Sequence, residues 1–144
     1  MYRSIICDLD GTLCNCEHRV HLAKDKNWDV FNKACIDDSC YEDIANILRA
    51  LHDNFETRII LVSGRSDNAK DLTEQWLLLN DIPYDELHMR LTGDYRSDDV
   101  IKQEILDKHI EADKVWFVLD DRKSVVNMWR KNNLTCLQVQ EGDF

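Results

Sequence analysis

The chain has 144 residues, and its 18 basic and 28 acidic side chains give a formal net charge of −10. This length suits one domain with a buried core, and the 44% of hydrophobic residues argues against a disordered chain. The charge excludes nonspecific coating of duplex nucleic acid, which depends on Lys and Arg neutralising phosphates. A small basic patch around a single phosphate stays open as an alternative.

The sequence predicts neither a membrane-spanning segment nor an N-terminal secretion signal. No apolar run approaches the roughly 20 residues that cross a bilayer. The charged Asp8 follows the first apolar residues too soon for a secretory signal peptide. We therefore expect a soluble, single-domain, cytoplasmic protein with no membrane partner.

Six cysteines raise the question of disulfides or zinc: Cys7, Cys14, Cys16, Cys35, Cys40 and Cys136. Their spacings are C-x-C and C-x4-C, and no close histidine completes a zinc site. We expect reduced, mostly structural thiols, as is usual in the cytosol. Because four of the six lie in one stretch, a minor metal or redox role is left open.

Short apolar runs alternate along the chain with segments of helical period. The predicted strands are Ser4–Cys7, Arg58–Val62, Leu87–Leu91, Val115–Leu119 and Leu134–Val139. The predicted helices are Glu42–Asn54, Asp67–Asn80, Asp98–His109 and Lys123–Lys131. Since each strand is an unbroken apolar run, this alternation predicts an α/β, Rossmann-like fold whose parallel five-stranded sheet has helices on both faces.

The stretch Leu13–Tyr41 has no strong period. A loop this long in a compact domain is usually functional, so we predict a small lid insertion after the first strand, at about residues 14–41. Trp28 and Phe31 within it are predicted to form the lid's own small core. Stacking against a nucleobase is the alternative for both rings.

Polar side chains follow three of the predicted strands. Asp8 ends the first strand, Ser63–Arg65 follows the second, and Asp120 and Asp121 follow the fourth. In parallel sheets, ligands bind beyond the carboxyl ends of the strands. With Asp10, up to four carboxylates would share a small volume and would need a cation, and oxygen ligands suit Mg²⁺. The plainer alternative is an Asp-Gly turn and a helix N-cap.

These motifs resemble those of the haloacid dehalogenase phosphatase superfamily. Asp8-Leu9-Asp10-Gly11-Thr12, Ser63-Gly64-Arg65, Lys102 and Asp120-Asp121-Arg122 occur in the expected order. A narrower resemblance, to the 3′-phosphatase domain of bacteriophage polynucleotide kinase, covers nearly the whole chain. It rests on further residues: Arg19, Arg90, Gly93–Arg96, Asp98–Ile105, Met128–Arg130 and Gln138–Phe144.

The resemblance implies that Asp8 is the nucleophile and takes the phosphoryl group as an aspartyl-phosphate. Asp10 would protonate the leaving hydroxyl and then activate water, with its pKa raised by neighbouring anions. Ser63 and Lys102 would hold the non-reacting phosphate oxygens. The Mg²⁺ ligands would be Asp8, the Asp10 backbone carbonyl, Asp120 and Asp121.

A second set of residues is implied on the substrate side. Asp98, one turn before Lys102, would orient its ammonium group, although the two could instead form a solvent-facing pair. Arg19, Arg65 and Arg90 would contact the terminal phosphate or its neighbour, although Arg65 could equally be a surface residue at a helix start. The full substrate-binding set is Thr12, Arg19, Gly64, Arg65, Arg90 and Asp98.

The implied activity is a Mg²⁺-dependent phosphomonoesterase that removes 3′-phosphates from DNA or RNA ends. The alternative enzyme is a nucleotidase acting on nucleoside monophosphates. The alternative of another class is an inactive, phosphate-dependent interaction module, against which the intact Asp8, Asp10, Lys102 and Asp120 argue. The 144 residues contain no G-x-x-x-x-G-K-[ST] motif, so they cannot themselves phosphorylate 5′ ends. A separate kinase or ligase is therefore a candidate partner.

Overall fold

A computed structural model of the chain describes residues 2–143. Its strands are β1 (Ser4–Cys7), β2 (Cys14–Asn15), β3 (Ser39–Cys40), β4 (Arg58–Ser66), β5 (Glu86–Arg90), β6 (Val115–Asp120) and β7 (Cys136–Gln138). Its α-helices are α1 (Val20–Lys24), α2 (Trp28–Lys33), α3 (Glu42–Phe55), α4 (Lys70–Leu79), α5 (Asp98–His109) and α6 (Lys123–Lys131).

Five of the strands form one parallel sheet in the order β5-β4-β1-β6-β7. Successive side chains of a strand point to opposite faces, so Ile5 and Ile6 of the central β1 belong to two different core clusters. Ile5 packs in a cluster with Trp76, and Ile6 in one with Trp129. The predicted parallel five-stranded sheet, buried on both faces, is confirmed.

Several element bounds differ from the prediction where the chain becomes polar. Helices α5 and α6 begin and end where predicted. Strand β4 continues past Val62 to Ser66, because Ser66 still pairs with Arg90 after a register shift. The helix predicted from Asp67 begins with a 3-10 turn and is α-helical only from Lys70. Apolar patterning detects the buried part of a strand and misses its polar continuation.

The predicted lid segment is made of several short elements. Strands β2 and β3 pair antiparallel, with Cys14 opposite Cys40, and α1 and α2 lie between them in the chain. The indole of Trp76 in α4 donates a 2.8 Å hydrogen bond to the Asp38 carbonyl and so fixes the end of the segment to the main body. Elements this short carry too few residues to show a period, which is why the sequence predicted only a loop.

All six cysteines are free thiols, and Cys7, Cys14, Cys35 and Cys136 are buried. Burial raises the pKa of the Cys14 and Cys7 thiols. Thiols of this kind pack as small apolar side chains. Among residues 2–143, no helix is long and apolar enough to cross a bilayer.

Candidate active site

An acidic cluster lies at the carboxyl ends of the neighbouring strands β1 and β6. Asp8, Asp120 and Asp121 each place a carboxylate oxygen within 4.8 Å of the others. They are 6%, 1% and 5% exposed. Gly11 allows Asp121 to approach, since a Cβ there would lie 2.1 Å from Asp121 Oδ2 and the Gly11 φ is +84°.

Lys102 reaches the acidic cluster from α5. Its Nζ donates to Asp8 Oδ1 at 2.7 Å and to Asp120 Oδ2 at 3.0 Å. One ammonium against three carboxylates leaves two negative charges uncompensated. Burial raises the pKa of Asp8, and the negative charge of Asp120 raises it further. A buried all-oxygen donor set with this charge deficit fits a divalent cation of the Mg²⁺ type.

Thr12 and Ser63 flank Asp8 in different ways. The Thr12 hydroxyl donates to Asp8 Oδ2 at 3.0 Å, and Thr12 is fully buried. It does not line the cavity above the cluster, so its position favours orienting Asp8 rather than the predicted substrate contact. Ser63 lines the cavity beside Asp8 and Lys102, and its Oγ accepts a hydrogen bond from the Arg65 backbone N–H at 3.1 Å.

Asp10 lies next to two arginines rather than with the acidic cluster. Its Oδ1 accepts hydrogen bonds from Arg19 Nη2 at 2.6 Å and from Arg65 Nη2 at 2.7 Å. Burial raises the pKa of Asp10, but the charges of Arg65 and Arg19 outweigh burial and lower that pKa to about 2. The expectation that neighbouring anions raise the Asp10 pKa is therefore wrong, because cations surround this carboxylate.

Sequence reasoning missed Asp38, which lies in the predicted lid segment just before β3. Its fully buried carboxylate accepts hydrogen bonds from Arg19 Nε at 2.8 Å and Arg19 Nη2 at 2.7 Å. Arg65 Nη2 lies 3.3 Å away and His18 Nε2 lies 2.7 Å away. Asp38 thus carries much of the charge compensation for the two buried arginines. No motif marks it, and the only signal in the sequence was that buried arginines need buried carboxylates.

Arg90 and Asp98 form a second charged group in the lining of the cavity. Arg90 donates to the Gly64 carbonyl at 2.8 Å and also to Asp98. The other Asp98 oxygen accepts a hydrogen bond from Arg122 Nη1 at 2.6 Å. A Cβ on Gly64 would lie 2.6 Å from Asp98 Oδ1, so glycine is needed for this close approach.

This arrangement differs from the prediction that Asp98 orients the Lys102 ammonium group. Asp98 pairs with arginines, while the Lys102 ammonium donates to Asp8 and Asp120. The negative charge of Asp98 still adds to those of Asp120 and Asp8 in raising the pKa of Lys102, against the effect of burial. Asp98 therefore acts on Lys102 through its charge rather than through a hydrogen bond.

The three arginines predicted on the substrate side donate to groups of the protein. Arg19 bonds Asp10, Asp38 and the Phe31 carbonyl. Arg65 bonds Asp10 and Asp38, and its Nη1 donates to the Thr73 hydroxyl at 2.9 Å. In this structure Arg19, Arg65 and Arg90 hold the walls of the site in place, and Arg65 and Arg90 also line the cavity.

A cavity of about 530 Å³ opens above the acidic cluster. Asp8, Ser63 and Lys102 lie along its lining together with residues of the predicted lid and of the loop between β5 and α5. Cavities in this range hold ligands the size of a nucleotide. There is room for more than a phosphate group.

The sheet order, the acidic cluster and the lysine are those expected of a phosphatase of the haloacid dehalogenase superfamily. L-2-haloacid dehalogenase from Xanthobacter autotrophicus shares the fold, with a TM-score of 0.62 at 11% identity over 96% of this chain and 78% of that chain. The family model for the polynucleotide kinase PNKP phosphatase domain matches residues 2–144. The chain belongs to this family and is a phosphoric monoester hydrolase, as the sequence resemblance predicted.

Two relatives are more similar in sequence. A chain of the Pnkp1/Rnl/Hen1 complex is 37% identical, with a TM-score of 0.85 over 99% of this chain and 47% of that chain. A bifunctional polynucleotide kinase/RNA ligase of Autographa californica nuclear polyhedrosis virus is 29% identical over 130 residues, which are 89% of this chain and 18% of the relative. The chain thus spans less than half the length of either relative.

Proposed function

We propose that this protein is a Mg²⁺-dependent 3′-phosphatase of nucleic-acid ends that works through an aspartyl-phosphate on Asp8. The observation that carries the proposal is the position of the Asp8 carboxylate. It is bonded by Lys102 and Thr12 and lies beside Asp120 and Asp121, at an open cavity. A nucleophile fixed by two hydrogen bonds is oriented for in-line attack on a phosphate placed above it.

In the first step, Asp8 attacks phosphorus, an Asp8–phosphate bond forms, and the bond from phosphorus to the leaving O3′ breaks. Asp10 gives a proton to that leaving oxygen. In the second step, water attacks the phosphorus of the aspartyl-phosphate, Asp10 takes a proton from the water, and Asp8 is released together with inorganic phosphate. Asp10 thus ends in the protonation state in which it started.

The arginine contacts to Asp10 leave a defined oxygen for this proton transfer. The hydrogen bonds from Arg19 and Arg65 end on Oδ1, so Oδ2 is the oxygen we assign to the proton. With a pKa of about 2, Asp10 is ionised in the free protein. The negative charge of a bound phosphate beside it raises the pKa, which favours uptake of the proton that Asp10 then donates.

Lys102 and Ser63 are the groups we assign to the non-reacting phosphate oxygens. The Lys102 ammonium already lies between Asp8 and Asp120, where it can stabilise charge that spreads over the phosphate in the transition state. Mg²⁺, held by Asp8, Asp120, Asp121 and the Asp10 carbonyl, would supply further positive charge to the phosphate oxygens.

The choice of a nucleic-acid end is supported by the family and by the net charge of the protein. The matching family is that of the polynucleotide kinase phosphatase domain, and a 37% identical chain comes from the Pnkp1/Rnl/Hen1 RNA repair complex. The net charge of −10 opposes binding along a duplex, whereas a strand end needs only local contacts. We also propose that a separate kinase or ligase, acting on the same ends, is a partner of this chain.

The test is Mg²⁺-dependent phosphate release from three substrates: a 3′-phosphorylated oligonucleotide, the same oligonucleotide with a 5′-phosphate, and nucleoside monophosphates. We expect the highest kcat/KM for the 3′-phosphate. Asp8→Asn is the control and should abolish release while the protein stays folded by circular dichroism. A preference for monophosphates would instead support a nucleotidase, and activity retained in Asp8→Asn would exclude the covalent mechanism.

A further inference from the structure

We propose that Trp28 and Tyr95 form a nucleobase-binding site at the mouth of the cavity, holding the unpaired bases of the last two nucleotides of the substrate strand. This inference rests on the proposed function, because it concerns the part of the substrate beyond the phosphate. Both side chains line the cavity that contains Asp8, Trp28 from the predicted lid and Tyr95 from the loop between β5 and α5.

Trp28 is fixed although it is exposed. It is 48% exposed, so the prediction that it belongs to a small lid core does not describe it. Its ring meets that of Phe31 edge to face at a centroid distance of 5.8 Å. The Arg19 guanidinium carbon in turn lies over the Phe31 ring, 4.4 Å from the centroid of that ring. The indole is therefore connected to Asp10 through three successive contacts, by way of Phe31 and Arg19.

Tyr95 is the most exposed of the large hydrophobic side chains among the described residues, at 86%. Its loop is nevertheless held on both sides. Arg90 Nη1 donates to the Asp94 carbonyl at 3.0 Å, and Arg96 Nη2 pairs with the Asp94 carboxylate at 2.7 Å. A phenol ring presented to solvent on a fixed loop has no packing role in the protein itself.

The lid and the Tyr95 loop are joined through the turn after β4. Asn68 Nδ2 donates to Asp29 Oδ1 at 2.8 Å, next to Trp28 in the chain. The Asn68 backbone N–H donates to Thr92 Oγ1 at 3.2 Å, at the start of the Tyr95 loop. The two aromatic residues are thus carried by segments that contact one common turn, which limits their relative movement.

An unpaired nucleobase is the ligand that fits these features. Exposed aromatic rings cost free energy in water, and base stacking recovers it for any base, since every base has a π-face. Arg96, which pairs with Asp94, and Arg122, which pairs with Asp98, line the same cavity. The aromatic rings and the arginines lie above the residues that we assign to the phosphate. This order matches that of nucleobase, backbone and terminal phosphate in a strand end.

The experiment compares 3′-phosphorylated tetranucleotides that are intact or lack one base. Removing the base at one of the last two positions should lower the wild-type kcat/KM about tenfold, the size of one stacking contact. Removing the base at the first position should leave it unchanged. The Trp28→Ala and Tyr95→Ala variants should each have a kcat/KM about tenfold lower on the intact substrate. In these variants, removing the base should lower kcat/KM by a further factor of about two or less. Trp28→Phe should restore the base dependence.

Phe55→Ala is the matched control, because Phe55 is an aromatic residue 58% exposed on α3 that does not line the cavity. It should keep the full dependence on the base. If Trp28→Ala lowers kcat/KM for the intact and the base-free substrates by the same factor, the variant has damaged the lid and the proposal is overturned. A 5′-phosphorylated tetranucleotide turned over faster than the 3′-phosphorylated one would contradict the proposed function alone, since base dependence is still read from the matched pair of 3′-phosphorylated substrates.

Discussion

Asp10 and Asp8 are two residues apart, yet their charge environments are opposite. Asp8 is buried among carboxylates, and its pKa is raised, whereas Asp10 binds two arginines, and its pKa is lowered to about 2 from 3.8. A lowered carboxyl pKa contributes stability above the unfolded value and loses it as pH falls. This contribution should be about 2 kcal/mol at neutral pH and should fade between about pH 4 and pH 2.

Asp10→Asn removes that ionisation while keeping the shape of the side chain. We expect the wild type to exceed the variant in free energy of unfolding by about 2 kcal/mol at pH 7, with the difference shrinking as pH falls below about 4. Urea unfolding at a series of pH values, with a chelator present, measures this. A difference that stays constant down to pH 3 would contradict the lowered pKa.

Asp38 gives a second prediction at the scale of single residues. Asp38→Asn removes the negative charge between Arg19 and Arg65, which are 1% and 2% exposed. Breaking a buried ion pair typically costs about 3–5 kcal/mol, and an amide that still accepts hydrogen bonds should bring the loss in free energy of unfolding to about 3 kcal/mol. The denaturant midpoint reports the loss. Asp37→Asn, at the exposed neighbouring position, is the control, and equal midpoints for the two variants would show that the ion pairs carry no stability.

At the scale of secondary structure, α5 shows what the sequence could predict. Its bounds, Asp98–His109, follow from an apolar period that local sequence displays, and Ile101 and Ile105 are buried as that period requires. The partners of Asp98 could not be predicted in the same way. They are Arg90 and Arg122, which are 8 and 24 residues away in the chain, and such pairings depend on side-chain geometry that leaves no period. The same reason explains why the Arg19–Asp38 pair was missed.

The segment from the end of β7 positions both acidic turns. Gln138 Nε2 donates to the Asp121 carbonyl at 3.0 Å, and Gln140 Nε2 donates to the Gly11 carbonyl at 2.9 Å. Neither glutamine lines the cavity. They act on the cluster through the backbone of the turns that carry its carboxylates.

The double variant Gln138→Ala/Gln140→Ala should therefore raise the Mg²⁺ concentration needed for half-maximal activity by about tenfold, the usual effect of losing outer contacts to a metal site. The activity at saturating Mg²⁺ should change less. Mg²⁺ titrations of phosphate release separate the two effects. Glu141→Ala, an exposed neighbour, should titrate like the wild type. An unchanged Mg²⁺ requirement in the double variant would show that the turns hold their shape without this segment.

At the scale of the whole molecule, a metal ion bound by the acidic cluster would couple its binding to folding. Asp8 follows β1 and Asp120 ends β6, so the cluster closes the ends of neighbouring central strands. An unfolded chain would not bring these carboxylates together. A ligand that binds only the folded state stabilises it by about 2.7 kcal/mol at 100 times its dissociation constant.

We accordingly expect saturating Mg²⁺ to raise the thermal midpoint by roughly 5–10 °C relative to a chelator. Asp121→Asn should lose most of this shift, because it removes one of the three carboxylates of the cluster. Asp53→Asn, at an exposed position of α3, should keep it. Differential scanning calorimetry at low and high Mg²⁺ provides the measurement. The same small shift in all three proteins would mean that Mg²⁺ acts on the acidic surface in general, and the site assignment at Asp8, Asp120 and Asp121 would then be wrong.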